Sequence, residues 1–382
     1  MENASFSQLI YGDEMNLALL VSGNPAQSMA FSTAIYLNEI PDFAGNELQR
    51  LYGHIHSSLP FMQIFRPTGQ VSTYVARHGA TPTAILLFRL AGRSVVVLNQ
   101  TMQIDREELR QFAACVFEQF PFVGVISFKA IQTDLLNFPY PLQRGHAMED
   151  IIITLPATAG DYTAGLGKST RSNLKYYKAK LEKNFSSFRF QSYEKEEIDE
   201  QLVYDLIKLS EARITAKKIN FGIDSEYARC IVELTKLCGV VNAIWVDGQL
   251  CAGAISYRTG ADQTTEVIAH DEKYHSYSPG MLCFYLAICE SIAKGVRKYH
   301  LGGGRLDYKV RLSGFQQNME EVQLYRPYWG MVLNCDWVAK TLFNAGILHL
   351  KTWLRSHETS LAVRLLLQSR YVMRKVIGDI CR

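Results

Sequence analysis

The sequence predicts an α/β fold in which one plan is used twice, followed by a helical tail. Three observations predict it. An order of antiparallel meander, helix and strand occurs near residue 71 and returns near residue 240. The strands of both copies are rich in β-branched and aromatic residues. From Trp337 the pattern changes to amphipathic and basic helix. At 382 residues the chain exceeds one ordinary core, which sets the expected units at 1–150, 151–330 and 331–382.

Composition narrows the function classes. A hydrophobic content of 48% with 20% charge is that of a globular protein, and a net charge of +3 is too slight to imply a nucleic-acid partner. The 8 cysteines include no Cys-x-x-Cys pair and several sit in apolar runs. That favours buried free thiols in a reducing compartment over disulfides or zinc, and no metal is expected. The start, MENASFSQLIYGDEMNLALL, carries acids where an export signal needs a basic lead. The apolar stretches fall short of the roughly 20 residues that span a bilayer. A cytoplasmic protein, soluble or peripheral to a membrane, is expected.

In order, helices are expected around Asn24–Glu39 and Ala44–Ser57. VSTYVARH, TAILLFRL and SVVVLNQ form the first meander, Asp105 caps a helix with Glu108 three residues on, and FVGVISFKA is the next strand. In the second copy VVNAIWV, AGAISYR and TTEVIAH precede a helix through Met281 and a strand at Tyr299. The copies differ at the helix start. The first has Asp105, Glu107 and Glu108, which repel an anion; the second reads Ser278-Pro279-Gly280, with Ser278 able to cap, Pro279 suited to the first position and no acid before Glu290. Uncovered amides there can hold a phosphate. The same tripeptide also makes an ordinary strand-to-helix turn.

Between the copies, LGKSTRSNLKYYKAKLEK reads as a helix capped by Ser169 or Thr170, with Leu174, Tyr177, Leu181 and Phe185 as its apolar stripe. Arg171, Lys175 and Lys178 lie on another face, which is either solvated or a site for an anionic substrate.

LGKSTRSNLKYYKAKLEK, IWVDGQLCAGAIS, HDEKYHSYSPGMLCFYLAICESIAKG and HLGGGRLDYKVRLSGF, in that order, resemble the CelD-type acetyltransferase domain of the GNAT superfamily, a group similar to the FemABX aminoacyl-transferases with two GNAT-like halves. The resemblance covers about 155 to 325, and the first half fits as a degenerate copy. It implies tandem GNAT-like domains with mixed sheets that splay between two parallel strands, here Thr264–His270 and Arg297–Leu301. The arm of acetyl-CoA or another acyl-CoA then lies in the gap, with its pyrophosphate on the amides near Ser278, Pro279, Gly280 and Met281. The loop YHSYSPGM is poorer in Gly, Arg and Gln than the superfamily's usual one, which keeps carrier protein and aminoacyl-tRNA open as donors.

Acyl transfer needs a base for the acceptor, donors for the oxyanion and an acid for the leaving thiolate. Backbone N–H groups from Ile268 through Ala269 to His270 can supply the donors. His270 is the candidate base and Glu266, on its face by alternation, the reserve; a histidine ending a strand can equally be structural. The resemblance implies that Tyr308 protonates sulfur and that Lys309 stabilises charge at the reacting carbonyl, against readings as a packing tyrosine and a surface lysine. Asp307 and Arg311 are expected to orient the acceptor; His275 and His300 are weaker candidates. Cys283 and Cys289 raise a covalent mechanism, but they lie six apart among Leu, Phe and Ile and read as core thiols.

The expectation is an acyltransferase moving an acyl group, acetyl first, from acyl-CoA to an amine or hydroxyl. The resemblance adds a sugar or polysaccharide precursor as acceptor. The rivals are a FemABX-like transferase using aminoacyl-tRNA and an inactive GNAT-fold assembly subunit. The tail, with Lys340, Lys351, Arg355, Arg364, Arg370, Arg374 and Lys375, is read as helices docked on the domain or as contact with an anionic membrane or a synthase.

Overall fold

The computed structural model describes residues 18–21, 31–66, 69–218, 220–304 and 307–326. The tail expected at 331–382 lies outside the described residues.

The first half runs β1 (Ala18–Val21), β2 (Phe31–Tyr36), α1 (Ala44–Tyr52), α2 (Leu59–Phe65), β3 (Ser72–His78), β4 (Thr81–Ala91), β5 (Ser94–Val97), β6 (Met102–Gln103), α3 (Arg106–Gln119), β7 (Val125–Gln132) and β8 (Leu142–Thr154). The second runs α4 (Ala159–Gly165), α5 (Lys168–Asn184), β9 (Arg189–Glu194), α6 (Glu200–Ala216), α7 (Ser225–Cys238), β10 (Gly239–Val246), β11 (Gln249–Thr259), β12 (Asp262–His270), α8 (Pro279–Ala293), β13 (Lys298–His300), α9 (Asp307–Arg311) and β14 (Phe315–Tyr325).

Two local expectations need correction. The helix expected at Asn24–Glu39 is strand over Phe31–Tyr36, where FSTAIY is rich in β-formers and pairs with both β1 and β3; residues 24–30 are outside the described set. Helix α5 begins at Lys168 with Gly167 as its cap residue, so neither Ser169 nor Thr170 caps it, and Thr170 is buried inside the first turn. Asp105 does cap α3, accepting the Glu107 N–H at 2.7 Å.

Among the described residues all the strands join one 14-stranded mixed sheet in the order β1-β2-β3-β4-β5-β7-β14-β8-β13-β12-β11-β10-β9, with β6 beside β7. The repeated plan is visible in the pairings. The meander β3-β4-β5 crosses through α3 to a parallel β7, and the meander β10-β11-β12 crosses through α8 to a parallel β13. This is a GNAT-like arrangement in tandem. The halves also trade strands: β14, last of the second half, pairs with β7 of the first, while β8 pairs with both β14 and β13. The boundary placed at 150/151 therefore falls inside β8.

Around the second copy, Leu174 and Leu181 of α5 and Leu282, Phe284 and Ile288 of α8 fill one face of the sheet. Leu202, Leu206 and Ile231 of α6 and α7 fill the other, together with Ile55 and Phe61 from the first half. That second face is where the two halves meet.

Candidate active site

The site begins with a pairing that stops. Strands β12 and β13 are in register only at Asp262–Lys298, Gln263–Tyr299 and Thr264–His300. Beyond Thr264, β12 continues to His270 held, among the described strands, by β11 alone. The Asp271 N–H donates to Cys251 O at 2.9 Å, so by alternation Ala269 and Asp271 turn their backbone groups toward β11, and Ile268 and His270 turn theirs to the open edge. Of the expected oxyanion donors, Ala269 is thereby corrected: its N–H faces the neighbouring strand.

Glu266 also needs correction. The β11–β12 register shifts between Ile255 and Ser256, whose partners are Val267 and Thr265. Glu266 is the extra residue of a bulge, and the two-residue alternation breaks there. Ile268 packs with the α8 core, whereas the Glu266 carboxylate accepts the Tyr227 hydroxyl of α7 at 2.8 Å. His270 and Glu266 thus point to opposite faces. Burial pushes the Glu266 carboxyl up, partly offset by the Tyr227 hydrogen bond.

At the start of α8 Pro279 takes the first position and no acid lies in the first turn, as expected. Ser278, however, makes no side-chain cap. It sits in the left-handed region at φ 47°, and its N–H is spent on His275 O at 3.0 Å. Pro279 has no N–H and the Leu282 N–H returns to Ser278 O at 3.1 Å, which leaves the amides of Gly280 and Met281 as the donors of this corner. A Cβ on Gly280 would stand 3.0 Å from His270 Nδ1, so the glycine makes room for that imidazole. His270 Nδ1 is buried with no hydrogen-bond partner among the described residues, and Nε2 lies 3.9 Å from Glu272. Burial, then the Arg213 charge, lowers the His270 pKa and favours the neutral ring.

Past β13 the chain turns through Gly302 and Gly304, both left-handed at φ 69° and 84°. Lys309 of α9, 4% exposed, donates to the carbonyls of Gly302 at 3.0 Å and Gly303 at 2.7 Å. It is a buried cation at the end of the shorter parallel strand. Burial draws its pKa down to about 8, opposed by Asp150 and Glu149. Tyr308 stacks on Phe284 of α8 with centroids 5.7 Å apart, and burial raises its phenol.

Arg213, at the end of α6, was not singled out in the sequence. Its Nη2 donates to Ile268 O on the open edge at 3.2 Å, its Nε is buried without a partner among the described residues, and its charge acts on both His270 and Tyr308. Among charged neighbours on α6 it reads as part of a solvated face. Gly253 lets α6 come that close, since a Cβ there would collide with Leu206.

The expected acceptor residues are scattered. Arg171 donates to Ala164 O at 2.7 Å and also to Leu166 O, tying α4 to α5. Lys175, Asp307 and Arg311 are exposed. Cys283 is buried and Cys289 partly so, and burial raises both thiols, as core cysteines require. His300, read as a weak candidate, is buried with its Nδ1 2.6 Å from Asp150.

Comparisons with known proteins follow the same lines. Residues 168–310 match the model described as Acetyltransferase (GNAT) domain. No curated protein matches the sequence. Among solved structures, FemX is similar at TM-score 0.56 and 9% identity, covering 74% of this chain and 96% of its own. L-PGS from Bacillus licheniformis gives TM-score 0.41 at 12% identity, covering 64% of this chain and 81% of its own. A GCN5-related N-acetyltransferase from Kribbella flavida gives TM-score 0.32 at 9% identity, covering 64% and 87%. At such identities a likeness shows fold alone, and only the first reaches a score on which a fold argument rests. Residues 168–310 thus match an acetyltransferase (GNAT) domain, and the described chain shares the fold of FemX.

Proposed function

We propose that the second half transfers an acyl group, acetyl first, from acyl-CoA to an amine or hydroxyl acceptor. The observation that carries this reading is the unpaired edge of β12 after Thr264 beside an acid-free helix start. A pantetheine arm is a chain of amides and needs backbone partners; the Ile268 and His270 edge offers them. The pyrophosphate needs donors without a competing carboxylate, and the Gly280 and Met281 amides meet that need.

The chemistry follows from what surrounds the edge. The Ile268 amide and the Lys309 ammonium supply positive character for a tetrahedral oxyanion. A neutral His270, or Glu266 from the opposite face, takes the acceptor's proton, and Tyr308 returns one to sulfur. A saccharide acceptor remains a proposal drawn from the resemblance, and contact of the tail with a membrane or synthase one drawn from its basic amphipathic sequence.

The resemblance also carries a second reading, transfer of an aminoacyl group from tRNA, and the fold likeness to FemX, which covers 96% of that chain, keeps it in view. Calorimetric titration of the protein with acetyl-CoA and with an aminoacyl-tRNA separates them. The proposal expects saturable binding of acetyl-CoA at one site per chain. Heat only with tRNA would transfer the reading to the aminoacyl class, and heat with neither would leave an assembly subunit.

A further inference from the structure

Away from the open edge, where the two halves meet, four charged or imidazole side chains converge. His54 comes from the turn after α1, Asp150 from β8, His300 from β13 and Asp262 from the start of β12. His54, Asp150 and His300 are 3%, 1% and 5% exposed. Asp150 Oδ2 lies 2.6 Å from His300 Nδ1 and 3.8 Å from His54 Nε2, and one donor atom from each of the three falls within 4.8 Å of the others. His300 Nε2 faces Asp262 Oδ2 at 3.5 Å.

We propose that His54, Asp150 and His300 form a binding site for one divalent transition-metal ion of the zinc class, with Asp262 orienting His300. Two imidazoles and a carboxylate are the donor set such ions take, and bonds of about 2.0 Å put tetrahedral ligand atoms roughly 3.3 Å apart. The 2.6 and 3.8 Å separations bracket that edge. A carboxylate on the far nitrogen of a ligating imidazole is the usual support for it. Asp150 Oδ1, buried and without a partner among the described residues, gives the ion a further oxygen. Two nearly buried carboxylates also call for positive charge, which a divalent ion supplies alongside the Lys309 ammonium.

His54 Nδ1 accepts the His56 N–H at 3.1 Å, so its own proton sits on Nε2. Binding moves that proton to Nδ1 and gives up this one hydrogen bond, a small loss beside the free energy of a structural zinc site. His300, with Asp150 2.6 Å from its Nδ1 and Asp262 3.5 Å from its Nε2, binds the metal through Nδ1 and carries its proton on Nε2, toward Asp262. The ion would join the two halves through three segments, which is independent of the acyltransferase reading.

The 382-residue protein, expressed with zinc and dialysed against chelator-treated buffer, is assayed by elemental analysis, and its cobalt(II) form by visible absorption. One equivalent of zinc and a cobalt spectrum of four-coordinate nitrogen and oxygen ligands are expected. His300→Gln and Asp150→Asn should lose the equivalent, and Asp262→Asn, which keeps all three ligands, should bind about tenfold to a hundredfold more weakly. A His270→Ala, His275→Ala double variant should keep it, because those residues with Glu272 make a separate surface group. Wild-type protein without stoichiometric metal overturns the proposal whether or not the variants fold. Loss of the metal in the double variant overturns it too.

Discussion

Lys309 shows what a single side chain can decide in this site. Its ammonium spends two hydrogen bonds on Gly302 and Gly303, positions where the chain turns through left-handed conformations, so it holds the loop and presents charge together. Its pKa falls from 10.5 to about 8 through burial. Below pH 8 the native lysine is charged and the burial penalty is full. Between about 8 and 10.5 the unfolded chain keeps a proton that the folded chain has lost, so this residue's contribution to stability rises with pH. Activity should run the other way. If the ammonium polarises the reacting carbonyl, turnover measured from pH 6 to 10 falls through about pH 8, and Lys309→Met lowers kcat by about 10–100-fold while changing KM for acetyl-CoA less. Gly280 makes a second test. Gly280→Ala brings a Cβ to 3.0 Å from His270 Nδ1, and Gly280→Glu adds a charge at the helix start, which costs about tenfold in affinity. Coenzyme titration should show the glutamate variant well below the alanine variant, and equal affinities would remove the phosphate site from this corner. Residue identity pointed to Pro279 and Gly280, and the family resemblance to Lys309. Neither marked Arg213, whose placement depends on how closely α6 approaches β12.

At the scale of the element, β12 carries the argument. That it parts from β13 was an implication of the family resemblance, and that it is a strand running to His270 was legible in TTEVIAH. The bulge at Glu266 was not, because strict alternation is the only rule a strand sequence offers and nothing in that sequence marks the extra residue. The bulge makes a sharp difference between two candidate bases. They face opposite sides of the sheet, so an acceptor entering from one side can use only one of them. His270→Ala and Glu266→Gln should therefore behave unequally. One should lower kcat by about 100-fold or more and the other by less than tenfold, as measured by steady-state kinetics with a fixed acceptor. Equal losses would mean that neither is the base. At α8 the predicted cap failed for a related reason. Ser278 was given its role from type and position, but the preceding turn, Glu272–Tyr277, ends on it, using its N–H and forcing it left-handed.

Over the whole molecule, the repeated plan could be read from the order of elements, since meander, helix and strand appear in both halves with similar residue types. The exchange of β8 and β14 could not. Neither strand belongs to the repeated plan that the sequence shows, and only the pairing places β14 between β7 and β8. The exchange predicts one cooperative unit. Fragments 1–150 and 151–382, expressed apart, should lack native circular dichroism and aggregate through the broken β8 and the exposed edge of β14, whereas the intact chain unfolds in one denaturant transition. Two separate transitions would mean that the halves are independent. The buried meeting of His54 with Asp150 and His300 is likewise a property of the assembled molecule, unmarked by any spacing because its members come from distant segments.

The account stands on the open edge of β12 receiving the coenzyme's arm, and amide hydrogen exchange resolved along β12 tests it most directly. With saturating acetyl-CoA, the Ile268 and His270 amides should slow by at least about tenfold, while Ala269, already bonded to β11, changes little. Exchange at Ile268 and His270 left unaltered by bound coenzyme would contradict it.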